Sequence, residues 1–312
     1  MLGVLAGFVT IAAVIGVGAA LAQWRILDEG GQRTLIQLSF FVASPCLMVT
    51  VLGDTDVSHV FSANLVASIG SVLVSAVVWI GLARLVWRRN LGDTVIGTFA
   101  SCYVNAGNLG LPITAYALGN VGYIVPMLLT QMLVLQPIGL MLLDLASGAG
   151  RDISRRDWLV SMLTRPFRNP PAVGALAGLL LSITGFELPR LVADPLELIA
   201  GMAIPGMLLA YGVSLRMGPR PGSGEQSSQV ATIVALKLVV QPLVAILIAK
   251  FALGLEGQDV FAVAVVAGLP TAQNVFTHAV RYQRAVILAR DAIILTTILA
   301  VPALIVIAAL LA

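Results

Sequence analysis

Long apolar segments follow one another along the whole chain and constrain its fold more than any other feature of the sequence. A helix needs about 20 predominantly apolar residues to cross the hydrocarbon core of a bilayer. Ten segments are close to that length or exceed it, and the connections between them are too short to contain a soluble domain. The ten predicted spans cover, in order, residues 3–23, 34–52, 60–83, 94–118, 121–146, 170–186, 195–215, 230–253, 259–281 and 288–311.

The composition supports an all-α polytopic membrane protein with ten transmembrane helices. With 59% hydrophobic and 11% charged residues, the chain differs strongly from soluble domains. The net charge of +3 is small and the basic residues lie in short loops, so nothing indicates a nucleic-acid partner. Cys46 and Cys102 both fall inside apolar runs, which argues against a disulfide framework or a metal site. We expect span 1 to be a retained helix rather than a cleaved signal peptide, because no basic segment precedes it.

Basic residues are concentrated on alternate connections, which predicts an orientation in the membrane. The connections after spans 1, 3, 5, 7 and 9, with the adjoining helix ends, hold 15 of the 18 lysines and arginines. The opposite connections hold only Arg190 and Lys250, while Lys237 lies within span 8. Short cytoplasmic loops carry an excess of basic residues. We therefore expect both termini to face outside.

Two pairs of proline landmarks recur at nearly one spacing along the chain. Pro45 in span 2 and Pro205 in span 7 are 160 positions apart. The Gly-Leu-Pro sequences that end at Pro112 in span 4 and Pro270 in span 9 are 158 positions apart. The spacing favours an internal repeat. The alternative is a chance alignment, since proline is common in membrane helices.

The repeat predicts two halves of five spans, 1–146 and 170–312, joined by a cytoplasmic linker at 147–169. Because five is an odd number, the second half would cross the membrane in the inverted orientation. Interrupted helices in corresponding places of two inverted halves mark the binding site of many transporters. The pattern therefore favours a secondary transporter.

Span 4 carries its helix breakers in the middle of the apolar run. Gly107, Gly110 and Pro112 weaken a continuous helix there. Since proline favours the first turn of a helix, we expect Pro112 and Pro270 to begin the second halves of spans 4 and 9. The positive ends of these half-helices would then meet at mid-membrane, where they favour an anion such as a carboxylate. The alternative is a proline-kinked helix whose small residues allow close packing.

Amide and hydroxyl side chains cluster at the two expected interruptions. They would offer directional hydrogen bonds to a substrate, although each one alone is also compatible with helix–helix bonding. Asn105 is expected in the first half-helix of span 4, close to the point where the chain unwinds. The predicted substrate-binding set is Asn105, Gly107, Asn108, Gly110, Pro112, Gln131, Pro270, Thr271, Gln273 and Asn274.

Lys237 is the only charged residue that lies clearly within a span. A charge at that depth faces the protein interior or water, so it would attract an anion or change protonation during transport. The alternative is that Lys237 extends to the cytoplasmic surface as an anchor. No mid-membrane carboxylate, metal-ligand spacing or nucleophile–base pair is visible, so neither a cofactor nor an enzyme is expected.

These motifs resemble the auxin efflux carrier family, which includes plant auxin exporters and bacterial proteins described as malonate or malate permeases. The resemblance rests on Asn-Ala-Gly-Asn-Leu-Gly-Leu-Pro at 105–112, Gly-Leu-Pro-Thr-Ala-Gln-Asn at 268–274 and the proline of span 2. It implies a fold similar to sodium–proton antiporters and bile-acid symporters. In such folds spans 4 and 9 cross as broken helices.

The resemblance also implies a division into two moving parts and commonly a homodimer. Spans 1, 2, 6 and 7, at 3–52 and 170–215, would form a scaffold. Spans 3–5 and 8–10, at 60–146 and 230–311, would form a core that moves like an elevator. By position Asn105 and Pro112 match the span-4 substrate motif, and Pro270 and Asn274 fall on the span-9 crossing.

One departure from the family concerns span 3. Near the crossing, plant members carry an Asp and a Lys in this span, whereas the polar residues of this chain there are Asn64, Ser68, Ser71 and Ser75. The proton effects of plant members therefore do not transfer to this chain.

The expected function is secondary transport of a small organic anion across a cytoplasmic (inner or plasma) membrane. A mono- or dicarboxylate such as malonate or malate, or an auxin-like acid, would be the substrate. Two alternatives stay open, namely an amino-acid carrier of the same fold and a signalling module that binds a ligand without moving it. The sequence alone determines neither the direction of transport nor the coupling ion.

Overall fold

The computed structural model describes residues 2–53, 63–147, 170–217 and 226–311, so the predicted linker at 147–169 lies outside it apart from Ser147. Helices form the regular structure of these ranges, which confirms an all-α membrane protein. Within these ranges, five helical segments are apolar and long enough to cross a bilayer. They correspond to predicted spans 2, 3, 7, 8 and 10 and comprise Glu29–Gly53, Ala63–Val86, Arg190–Met217, Ser227–Ala252 and Val286–Leu311.

The other predicted spans also coincide with helices, and most of these are shorter or divided. Span 1 is the helix Leu2–Gln23, which has 22 residues, and span 6 is Pro170–Thr184. Span 5 is built from successive helical turns, Val121–Ile124, Val125–Thr130, Gln131–Leu135 and Gln136–Ser147. The total of ten crossings stays a prediction, because the helices of spans 4, 6 and 9 do not reach the spanning length individually and span 5 is divided.

Spans 4 and 9 are each interrupted near the middle. In span 4 the helix Leu91–Cys102 ends, and helical structure resumes as Ala106–Gly110 and Leu111–Ala117. In span 9 Gly257–Ala267 is followed by six residues outside regular helix before Asn274–Tyr282 begins. The interruptions thus fall where the glycines, prolines and amides of the sequence are concentrated.

Four prolines in these helices each follow a π-turn. In four places the residue before a proline donates its N–H to the carbonyl five residues earlier. Proline has no N–H to donate, and the wider turn accommodates the hydrogen bond that is missing there. The bonds are Ser44 to Ser39, Leu111 to Ala106, Gln136 to Gln131 and Gln241 to Leu236, and the prolines are Pro45, Pro112, Pro137 and Pro242.

This geometry corrects the expected roles of Pro112 and Pro270. Pro112 lies in the first turn of Leu111–Ala117, but the half-helix has already resumed at Ala106, six residues earlier. Pro270 precedes Asn274, the start of the second half-helix of span 9, by four residues. Neither proline begins its half-helix, because Pro112 lies inside one half-helix and Pro270 lies before the start of the other. The two Gly-Leu-Pro sequences therefore give no support to the repeat, which stays a prediction.

Spans 1 and 7 pack closely, as do spans 2 and 6, and glycine makes both contacts possible. A Cβ on Gly18 would lie 2.2 Å from the backbone oxygen of Leu209, and one on Gly212 would lie 2.0 Å from that of Ile15. Gly174 approaches the backbone of Pro45 in the same way. Small residues at such contacts let helix backbones meet in a membrane, where packing drives association.

Gly18→Ala should lower the melting temperature of the purified protein, because the backbone of Leu209 cannot yield as a flexible side chain would. Gly16→Ala in the same helix is the matched control, since a Cβ there meets nothing within 4 Å. The measurement is thermal unfolding in detergent. Equal melting temperatures for the two variants would contradict the close packing of spans 1 and 7.

Candidate substrate site

The two interruptions lie against each other and pair through their backbones. Val104 and Thr271 form an isolated antiparallel bridge. The N–H of Asn105 donates to the carbonyl of Pro270 at 2.8 Å, and the N–H of Ala272 donates to that of Tyr103 at 3.2 Å. Backbone groups freed at membrane depth must be satisfied by the protein or by a water-filled cavity. Each interruption therefore supplies hydrogen-bond partners for some of the backbone groups of the other.

Side chains from neighbouring spans complete this pairing. The amide of Gln131 in span 5 accepts from the N–H of Val104 at 2.6 Å and donates to its carbonyl at 3.0 Å. The hydroxyl of Thr271 donates to the carbonyl of Ala100 at 2.6 Å. The hydroxyl of Thr296 in span 10 accepts from the N–H of Thr271 at 3.2 Å. Side chains of spans 5, 9 and 10 therefore hold the two paired interruptions in place.

Lys237 points at the carboxyl end of the first half-helix of span 4. Its ammonium donates to the Gln241 side chain at 2.7 Å and to the carbonyl of Cys102 at 3.4 Å. The amide nitrogen of Gln241 donates to the same carbonyl at 3.3 Å. Because Lys237 is 0% exposed, the alternative that it extends to the membrane surface is wrong. Its functional role stays a prediction.

Asn105 begins the second half-helix of span 4 as its N-cap. Its side-chain oxygen accepts from the N–H of Asn108 at 3.2 Å, so the expectation that Asn105 belongs to the first half-helix is wrong. Gln273 holds the same N-cap position before Asn274–Tyr282. The side chains of Asn108 and Gln273 meet at 3.4 Å. The starts of both second half-helices thus lie side by side.

Two amide atoms at this meeting point have no hydrogen-bond partner. They are the side-chain nitrogen of Asn105, a residue that is 3% exposed, and the side-chain oxygen of Asn274. Asn108 and Gly107 are only partly buried, and a Cβ on Gly107 would meet nothing within 4 Å. A buried unpaired donor and a buried unpaired acceptor therefore lie at the two helix starts, and open space surrounds the position of Gly107 in the first turn of one of them.

The predicted site residues divide into two groups in the structure. Asn105, Gly107, Asn108, Gln273 and Asn274 lie where the starts of the two second half-helices meet. The others are engaged by the protein itself. Gln131 and Thr271 bond to the backbone, Pro270 contributes its carbonyl, and Gly110 and Pro112 are buried, with a Gly110 Cβ only 2.7 Å from Ile124. A substrate contact for this second group stays a prediction.

Gln241, Thr296 and Tyr103 were missed as residues of this region. Gln241 follows Lys237 by four positions, which places both on one helix face, and this spacing is a signal visible in the sequence. The Tyr103 hydroxyl bonds to the Gln136 amide at 3.1 Å, and its contact with span 5 has no sequence signal.

Comparison with known proteins decides the family. A family model described as Membrane transport protein matches residues 4–308 of the chain. The protein belongs to this transporter family, that of the auxin efflux carriers. The expected family is therefore confirmed, and the chain is a membrane transporter rather than an enzyme.

Two relatives match almost their whole length. An "Uncharacterized transporter" of Methanothermobacter thermautotrophicus is 26% identical over 302 residues, which cover 95% of this chain and 94% of that protein. A "Putative malonate transporter" of Rhizobium meliloti is 23% identical over 280 residues, covering 89% of this carrier and 87% of the relative.

Gln131→Leu should lower the melting temperature of the carrier, because the N–H and carbonyl of Val104 would both lose their partner. A buried polar group left unpaired costs about 1–3 kcal/mol. Gln258→Leu is the control, since the exposed Gln258 amide makes only a long bond of 3.5 Å to Leu118. Unchanged thermal unfolding of Gln131→Leu would show that Gln131 does not support the interruption.

Proposed function

We propose that the protein carries a small organic anion, a mono- or dicarboxylate, across the cytoplasmic membrane by alternating access. The observation that carries the proposal is the unpaired Asn105 amide nitrogen beside the starts of two half-helices. A carboxylate that entered this space would accept a hydrogen bond from that nitrogen. It would also be stabilised by the positive ends of both half-helices.

The name of one relative and the geometry of the site favour a dicarboxylate such as malonate or malate. One relative is named for malonate. Two adjacent helix starts offer a separate positive end for each carboxylate of such a substrate. An auxin-like acid, with one carboxylate and an apolar body, would use one helix start and the open space beside Gly107.

The proposed mechanism follows the family resemblance. Spans 4 and 9 act as crossing broken helices of an inverted 5+5 repeat. The core, at 60–146 and 230–311, moves past a scaffold, at 3–52 and 170–215, that also forms a homodimer. Support comes from the close packing of spans 1 with 7 and 2 with 6, since a scaffold must stay rigid. Both termini face outside in this proposal, as the basic connections predict.

An amino-acid carrier is the second candidate, and one observation favours it. The unpaired oxygen of Asn274 is an acceptor, which an anion would leave unsatisfied and an ammonium group would engage. Uptake of labelled malonate and of labelled alanine into proteoliposomes, measured separately, distinguishes the candidates. Uptake of malonate alone supports the organic anion. Uptake of alanine alone supports the amino acid, and uptake of neither compound contradicts both assignments.

Asn105→Ala should raise the apparent dissociation constant for the transported anion about 10- to 150-fold. This range corresponds to the loss of about 1.5–3 kcal/mol for one hydrogen bond to a charged group. Because Asn105 is also an N-cap, the variant should lose some stability, about 1 kcal/mol. Calorimetric titration and thermal unfolding measure the two effects.

Asn120→Ala is the matched control for this variant. Asn120 is likewise an N-cap, and its side-chain oxygen accepts from the N–H of Gly122 at 2.7 Å, away from the interruptions. We expect the control to lower stability to a similar degree and to bind the anion normally. If both variants bind equally well, the substrate site lies elsewhere.

A further inference from the structure

Side-chain donors from spans 8 and 9 bond to two carbonyls at the carboxyl end of Leu91–Cys102. The Cys102 carbonyl accepts from the Lys237 ammonium at 3.4 Å and from Gln241 at 3.3 Å, while the Ala100 carbonyl accepts from Thr271 at 2.6 Å. A helix carboxyl end carries a partial negative charge. In transporters with broken helices, such ends and the unwound carbonyls beside them hold the coupling Na⁺ or H⁺.

Lys237 has the surroundings of a bound metal cation rather than those of an ion-pair partner. Its hydrogen-bond acceptors are the side-chain oxygen of Gln241, at 2.7 Å, and a backbone carbonyl. Within the described ranges no carboxylate forms an ion pair with it. Neutral carbonyl and amide oxygens are also typical ligands of hard metal cations.

The local backbone fixes this position. Lys237 lies in the π-turn Leu236–Val240, and Gln241 follows directly after the turn. The two side chains reach the same carbonyl from one helix and are both 0% exposed. The ammonium is thus held on the carbonyl side of the span-4 interruption, whereas Asn105 and the free helix start lie on the other side.

We propose that Lys237 is a tethered cation that takes the place of a coupling metal ion at this helix end. Transport of the anion then proceeds without Na⁺ or another monovalent metal ion, because the required positive charge is part of the chain. The inference rests on the proposed function only for its transport measurement. Lys237 acts through the interrupted backbone as a positioning residue and does not contact the substrate.

The test measures melting temperature without any substrate, in chloride salts of Na⁺, Li⁺, methylammonium or tetramethylammonium at equal ionic strength. The wild type should melt at one temperature in all four salts. Lys237→Ala should melt lower and recover in Na⁺ or methylammonium. It should not recover in tetramethylammonium, whose four methyl groups keep its charge away from the carbonyl oxygens and leave no N–H to donate. Lys250→Ala is the matched control, since Lys250 is the exposed lysine of the same span and should show no salt preference.

Lys237→Met keeps the side-chain volume and leaves no room for a cation, so it should stay destabilised in every salt. If Lys237→Ala yields no folded protein, the wild type and Lys237→Met carry the test. A Lys237→Ala protein that shows no recovery in any small cation would overturn the proposal. So would a wild type that is stabilised selectively by Na⁺.

Transport supplies the second measurement. Uptake of labelled malonate into proteoliposomes should be unchanged when choline replaces all Na⁺, and a requirement for Na⁺ would overturn the tethered-cation role. Should no organic anion be transported at all, the proposed function fails, and the salt dependence of melting still decides the role of Lys237.

Discussion

The structure depends on one constraint, namely that unwound backbone at membrane depth must find hydrogen-bond partners inside the protein. The bridge between Val104 and Thr271 meets part of that requirement, because each interruption supplies donors and acceptors to the other. The side chain of Gln131 supplies the partners for the N–H and the carbonyl of Val104. Spans 4 and 9 are interrupted together because neither interruption would be satisfied alone.

The interruption of span 4 separates two charges of opposite sign by only a few residues. The half-helix that ends at Cys102 presents a negative end, and the one that begins at Ala106 presents a positive end. The side chains at each end are complementary to that charge. Lys237 meets the negative end, while the positive end borders the open space beside Gly107. An uninterrupted helix would place neither end at this depth.

The sequence predicted the helical class, the positions of the spans and the neighbourhood of the interruptions, because hydropathy and helix breakers act locally. It misplaced the roles of Pro112 and Pro270, since proline alone does not distinguish a helix start from a π-turn. The backbone partners of Gln131 and Lys237, in Val104 and Cys102, lie 27 and 135 residues away along the chain. Contacts over such separations depend on how the helices pack, and a single sequence does not record that packing.

The π-turns that precede the prolines set a limit on how the length of these spans can change. Each turn contains one residue more than an α-helical turn, and one residue corresponds to about 100° of rotation about the helix axis. Removal of a single residue from Leu236–Val240 would therefore rotate one part of span 8 relative to the other and separate Lys237 from the face that carries Gln241. Insertions and deletions should accumulate in the loops of related chains, whereas the number of residues between Lys237 and Gln241 should stay constant.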